Sequence, residues 1–165
     1  MLSRQTASTE TQTERMDENM SVPKYRIVMA SHGEQAKGML NTVQMLLGEQ
    51  ENITAYCLSP EQSVADLTEK LKKEIEQYGA ENIIFMTELM HGSPFNAVVA
   101  LTRDYDLYHI TGMNLATLMT VVLERGNEGA SRQAICDAAI EASQNSILDV
   151  RKMLTEESEE EEEEL

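Results

Sequence analysis

The chain has 165 residues, 41% of them hydrophobic, a formal net charge of −16 and two cysteines. Such a length suffices for one domain with its own core, and no apolar run approaches a membrane span. The acidic balance argues against nucleic acid and anionic membrane as main partners, while permitting a basic protein partner steered by charge.

The charge is unevenly placed. Residues 155–165 hold eight glutamates and no basic residue, which reads as an acidic disordered tail. Residues 1–22 are polar, lack periodicity and carry no apolar signal core, so they read as a disordered leader. The domain is therefore expected over 23–154. Cys57 and Cys136 lie far apart without metal-ligand spacing, as buried thiols of a reducing, cytoplasmic compartment do.

Within the domain, Ile27 to Ala30 is a short apolar run, the pattern of a buried strand. Met39, Leu40, Val43, Leu46 and Leu47 then recur at helical spacing. Ser31, His32 and Gly33 join the two, which places His32 where a strand ends and a helix is about to begin. A second strand is predicted over Ile53 to Leu58. Ser63 and Asp66 open a helix whose inner stripe is Val64, Leu67, Leu71, Ile75 and Tyr78, and Gly79 ends it.

Ile83 to Thr87 is the most apolar run and reads as a central strand. Glu88 to Gly92 leaves its carboxyl end, and Ser93 with Pro94 marks a helix start: hydroxyl at the N-cap, proline at the first helical position. A fourth strand is expected near Leu107 to Thr111. Gly112 to Asn114 turns into a helix from Leu115 to Arg125. Ser131 opens a last helix with Ile135, Ala138, Ala142 and Val150 on one face.

Four strands alternating with helices predict an α/β fold. Its sheet should be largely parallel and covered by helices on both faces. Three strand ends then point into one crevice, the place where ligands bind in open α/β sheets. The first carries Ser31 and His32, the third Glu88 with the Ser93 helix start behind it, and the fourth Thr111, Gly112 and Asn114. A helix N-terminus and a hydroxyl facing an imidazole suit a phosphoryl group. A carboxylate beside the imidazole would hold one ring nitrogen and leave the other nucleophilic.

At these residues the chain resembles the cytoplasmic IIA component of the mannose-class sugar phosphotransferase system (PTS). The stretches are IVMASHG (27–33), MLLGEQENI (45–53), the apolar strand into GSPFNA (83–97) and TGMNLATLM (111–119). The resemblance implies a mostly parallel sheet of four to five strands, and a homodimer that exchanges an edge strand, expected here in the region 126–135 or nearby. It also implies a phosphocarrier working without cofactor or metal. His32 would take the phosphoryl group from phospho-HPr and give it to a IIB component serving a membrane IIC/IID permease. His32 is then the nucleophile, Glu88 the orienting carboxylate, and Ser31, Gly92 and Ser93 the phosphoryl-binding set.

Two residues depart from the family pattern. Glu88 stands where aspartate is usual, and His91 where a second glycine commonly precedes the GSPFN glycine. His91 could crowd the site, contact the partner or point to solvent; His109, mid-strand, reads as packing. Two other readings compete: a IIA-like subunit of a dihydroxyacetone kinase, against which the intact GSPFN argues, and a non-catalytic sensor. Phosphorylation by HPr separates a carrier from a sensor.

Overall fold

The structure is a computed structural model and describes residues 24–155. The predicted leader and the acidic run from 156 onward lie outside the described residues, whereas Thr155, assigned to the tail, closes a short helical segment at 150–155. Nine principal elements alternate in chain order. Strand β1 (Arg26–His32) leads into helix α1 (Gln35–Leu47), β2 (Ile53–Leu58) into α2 (Val64–Tyr78), and β3 (Ile83–Thr87) into α3 (Ser93–Leu101). Then follow β4 (Tyr108–Thr111), α4 (Leu115–Glu124) and α5 (Arg132–Gln144).

The strands stand in the order β2-β1-β3-β4, and every pairing is parallel. Each hydrogen-bonded crossover runs through a helix, as parallel pairing requires. The two inner strands, β1 and β3, are the most buried of the four. Ile27, Val28, Met29, Ile83, Ile84, Phe85 and Met86 are fully shielded from solvent. Withdrawing each such side chain from water contributes ~1.5–3 kcal/mol, which is why a run of this composition settles in the middle of the sheet.

Strand alternation divides the core in two. Ile27, Met29, Ile84 and Met86 face a layer of α1, α4 and α5 through Val43, Leu118, Val121 and Ile135. Val28, Ala30 and Phe85 face the opposite layer of α2 and α3 through Leu67, Leu71, Ala97 and Val98. Helices cover both faces, as the alternating pattern predicts.

The helix starts follow local chemistry. Ser63 and Asp66 form a reciprocal capping box on α2, and the Ser131 hydroxyl accepts the Ala134 N–H at 3.1 Å to open α5. Two expectations need correction. The region 126–135, predicted to supply an exchanged edge strand, is a loop that runs into α5, and the described residues form four strands only. Ser131 caps a helix at that point, so the chain is committed to α5 before it could extend. Val150 does not share the inner face of α5, because that helix ends at Gln144 and Val150 is exposed beyond it.

The order 2-1-3-4 has one place where the chain's direction of winding reverses, between β1 and β3. At that switch point the loops leaving the two strands diverge to opposite faces and open a crevice.

Candidate functional site

His32 is the last residue of β1 and Glu88 the first after β3, so the two flank the switch point. Parallel register pairs Ala30 with Thr87, which brings the next residues of both strands level. The carboxylate oxygen Oε1 of Glu88 accepts the backbone N–H of His32 at 2.8 Å. The same oxygen lies 2.5 Å from the ring Nδ1 of His32. A carboxylate can only accept there, so Nδ1 carries the proton and Nε2 of the neutral ring keeps its lone pair.

The imidazole is open while its holder is not. The His32 side chain is 47% exposed and that of Glu88 only 10%. A ring nitrogen at the surface is thus fixed from beneath by a sheltered acid. The second carboxylate oxygen, Oε2, is buried and makes no hydrogen bond among the described residues.

Gly92 is brought against the same ring. A Cβ placed on it would lie 3.0 Å from Cε1 of His32 and 3.1 Å from the carbonyl oxygen of Leu89. Glycine is needed here for close approach, and its own φ of −68° is ordinary. It is also the N-cap of α3, with no side chain capping that helix. This shifts the expected boundary: Gly92 takes the cap, Ser93 the first helical position, and Pro94 the second. The N–H groups of Ser93 and Phe95 have no acceptor within the helix, and the positive end of its dipole faces the histidine. Ser93 is half-buried, and its hydroxyl makes no hydrogen bond among the described residues.

Ser31 is brought to the strand end but not to the open side. It is fully buried, and its hydroxyl oxygen accepts the Ala36 N–H at 2.8 Å. Alternation along β1 turns it to the face opposite His32. The N-cap of α1, Glu34, makes no side-chain cap, and Ser31 supplies that acceptor instead. The fourth strand end is likewise committed to structure. Thr111 accepts from Thr87 at 3.1 Å, and Asn114 caps α4 through the Thr117 N–H at 2.9 Å.

The loop between Glu88 and α3 holds the two departures. His91 has φ of 64°, the left-handed region where glycine is at ease and an L-residue is strained by ~1 kcal/mol or more. Its ring is exposed and stands edge-on to Phe95, with centroids 5.6 Å apart. Phe95 also meets the His109 ring, with centroids 5.3 Å apart. His109 Nε2 lies 2.8 Å from the Thr87 hydroxyl, and burial pushes its pKa down to about 4. This imidazole serves packing, as its mid-strand position suggests. Leu89 and Met90, both well exposed, complete the rim beside His32.

Sequence reasoning missed three features. The doubled use of one Glu88 oxygen depends on the exact level of two strand ends. The carbonyl of His91 accepts the Asn96 side-chain amide at 3.1 Å, a bond for which the only sequence signal is an asparagine five positions downstream. Arg125 is buried and reaches the carbonyls of Tyr25, Glu51 and Asn52; the helix pattern shows it only as a terminal cation.

Comparison with known proteins identifies the family and the fold. The family model described as "PTS system fructose IIA component" matches residues 26–140. The chain is 28% identical over 123 residues to the mannose-specific EIIAB component of the PTS from Escherichia coli (strain K12), covering 73% of this chain and 38% of that protein. It thus spans well under half of that relative's length. It is 30% identical over 96 residues to the sorbose-specific EIIA component from Klebsiella pneumoniae, covering 58% of this chain and 70% of the relative. The crystal structure of component EIIA from Streptococcus agalactiae superposes with a TM-score of 0.70 at 27% identity, over 78% of this chain and 98% of that one. With the family model covering most of the chain and the fold shared, the protein belongs to the IIA-component family of the sugar phosphotransferase system.

Proposed function

We propose that this chain is the cytoplasmic phosphocarrier of a sugar-transporting PTS, accepting a phosphoryl group on Nε2 of His32. The observation that carries this reading is the 2.5 Å contact of Nδ1 with Glu88, which leaves Nε2 exposed beside the uncapped start of α3.

The Nε2 lone pair attacks phosphorus of phospho-HPr in line. The new N–P bond forms as the bond to the donor nitrogen breaks, and the donor imidazole keeps the released electron pair. Phosphorus passes through a loose transition state with charge on three equatorial oxygens, so the protein's part is to position and to stabilise charge. In this reading the N–H groups at the start of α3 and the Ser93 hydroxyl meet those oxygens. Glu88 offsets the positive charge that the ring gains on phosphorylation. Ser31 acts one step back by holding the first turn of α1, and Gly92 by leaving room for the ring. The reverse sequence, with a nucleophile of a IIB component in the donor's place, empties the site toward the IIC/IID permease.

The chain acts in this reading as a homodimer. Ile147, Leu148, Val150 and Leu154 lie after α5, each more than half exposed. That density of apolar surface is what a second copy would cover. Sedimentation at micromolar concentration should give twice the 18.5 kDa of the chain. Among the described residues no helix is long and apolar enough to cross a membrane, which suits a carrier that shuttles between soluble and membrane components.

Incubation with enzyme I, HPr and phosphoenolpyruvate should place one acid-labile phosphoryl group on the chain, and His32→Ala should abolish it. Undiminished labelling of that variant would overturn the assignment; no labelling of the wild type would favour a sensor.

A further inference from the structure

His91 keeps a positive φ although it has a side chain, and something must hold it there. The side-chain amide of Asn96 donates to the His91 carbonyl oxygen at 3.1 Å. The backbone N–H of the same residue donates to the Gly92 carbonyl oxygen at 2.9 Å. Two consecutive carbonyls are therefore held by one residue of α3. The Gly92 N–H in turn donates back to the Leu89 carbonyl oxygen at 3.1 Å, which closes the loop on itself.

The residue that Asn96 pins lies beside the imidazole, close enough that a Cβ added to Gly92 would come within 3.0 Å of Cε1 of His32. Glu88 fixes the ring through Nδ1 and the backbone N–H of His32. A single hydrogen bond to one ring nitrogen still allows the ring to pivot, and the backbone at Gly92 bounds the space open to it on the Cε1 side. If His91 relaxed to negative φ, its carbonyl would rotate and Gly92 would swing away from the ring. Asn96 is exposed, so burial does not explain an asparagine in the first turn of α3, whereas the bond of its side-chain amide to the His91 carbonyl does.

We propose that Asn96 is a positioning residue for His32, whose side-chain amide locks the left-handed turn at His91 and so keeps Gly92 seated against the imidazole. The functional consequence rests on the phosphocarrier reading; the geometric one stands without it. A glycine at 91 would adopt positive φ unaided, so the hold of Asn96 on this turn matters more with the histidine that this chain carries there.

The test uses the full chain with three changes: Asn96→Ala, Asn96→Asp, and Asn96→Ala combined with His91→Gly. Two readouts are taken at a temperature where circular dichroism shows the folded state: the phosphorylation rate at saturating phospho-HPr, and the nitrogen-15 signals of the unphosphorylated His32 ring. Asn96→Ala should slow transfer about 10-fold, with little change in half-saturation, and should shift or broaden the His32 signals. Asn96→Asp should be at least as slow, because it sets an acceptor against the carbonyl. Adding His91→Gly should bring the rate back to within about 3-fold of wild type and restore the ring signals.

Wild-type rate and ring signals in Asn96→Ala would overturn the proposal. So would a double variant as slow as the single, since the amide would then act otherwise than by holding the turn. Should Asn96→Ala fail to fold, the double variant decides: folded and fast supports the clamp, folded and slow overturns it. If the wild type takes no phosphoryl group, the carrier reading fails, and the ring signals alone then decide whether Asn96 positions His32.

Discussion

One oxygen of Glu88 holds His32 twice: Oε1 accepts the backbone N–H at 2.8 Å and the ring Nδ1–H at 2.5 Å. The extra methylene of glutamate, relative to the family's usual aspartate, is taken up by this double grip from a nearly buried side chain. Glu88→Gln keeps an oxygen that can accept both bonds. It loses the charge and places an amide –NH2 where Oε2 is buried without a donor or acceptor beside it. Transfer through His32 should therefore fall about 100-fold, the scale set by removing one preorganised electrostatic partner. Glu88→Asp should retain transfer. Rapid-quench phosphorylation of the three proteins checks this, and equal rates for wild type, Glu88→Gln and Glu88→Ala would show the carboxylate to be idle.

Gly92 offers a second, independent handle on the same ring. Its φ of −68° suits alanine, so Gly92→Ala adds only a methyl group. That methyl would meet Cε1 of His32 at 3.0 Å and the Leu89 carbonyl oxygen at 3.1 Å. The carbonyl belongs to backbone and cannot yield, so the half-exposed ring must turn aside. The expected result is near-native stability with transfer reduced at least about 10-fold. Thermal unfolding and phosphorylation measured on one preparation would separate the two effects; an active, stable Gly92→Ala would show that the ring tolerates displacement.

The legible part of this fold is the part written in periodicity. The apolar runs at 27–30 and 83–87 become the two inner strands, and Ser63 and Ser131 become caps, because each signal acts within a few residues of itself. The switch point is not legible, since nothing local to β1 states that β3 and not β2 carries its partner carboxylate. His32 and Glu88 nevertheless stand out as a pair, because both leave strands at the carboxyl end. Ser31 shows the opposite case. Its residue type suits the crevice, but alternation along β1 turns it inward to Ala36, and parity can be fixed only once the strand is known to run through His32. The failed edge strand at 126–135 rests on the resemblance and not on any alternating pattern in those residues.

His109 makes stability depend on pH. Its ring is packed against Phe95, with Nε2 on the Thr87 hydroxyl and Thr111 beyond it. Burial pushes its pKa from 6.5 down to about 4. The unfolded chain then binds this proton more readily than the folded one. Its contribution is fully present above pH 6.5 and is lost as pH falls toward 4, by roughly 3 kcal/mol in all. His109→Val removes the titrating group and should flatten the dependence by that amount. Urea midpoints of both proteins at about pH 7 and about pH 4.5, on either side of most of that window, provide the check; parallel declines would assign the pH sensitivity to other groups.

Arg125 lies at the opposite end of the sheet and lets stability be separated from chemistry. It is 2% exposed, and its guanidinium donates to the carbonyl oxygens of Tyr25 at 3.0 Å, Asn52 at 3.2 Å and Glu51 at 2.7 Å. These carbonyls stand where the chain enters β1 and β2, so one side chain of the α4 end ties together both strand starts. Burial lowers its pKa to about 10, and it remains charged at neutral pH. Arg125→Met keeps much of the packing volume but removes the guanidinium donors from the Tyr25 and Glu51 carbonyls, while the Asn52 carbonyl keeps the Ile27 N–H at 2.9 Å; with a buried charged group lost, this should cost ~3 kcal/mol. Arg125→Lys should recover only part of this, because an ammonium cannot spread its donors as the planar fork does. His32 leaves β1 at its other end, so transfer by the folded fraction should be unchanged in both variants. Urea unfolding measured beside the phosphorylation rate tests the pair of statements. A neutral Arg125→Met would mean that the released carbonyls find other partners, and a folded but inactive one would mean that the strand starts and His32 are coupled through β1.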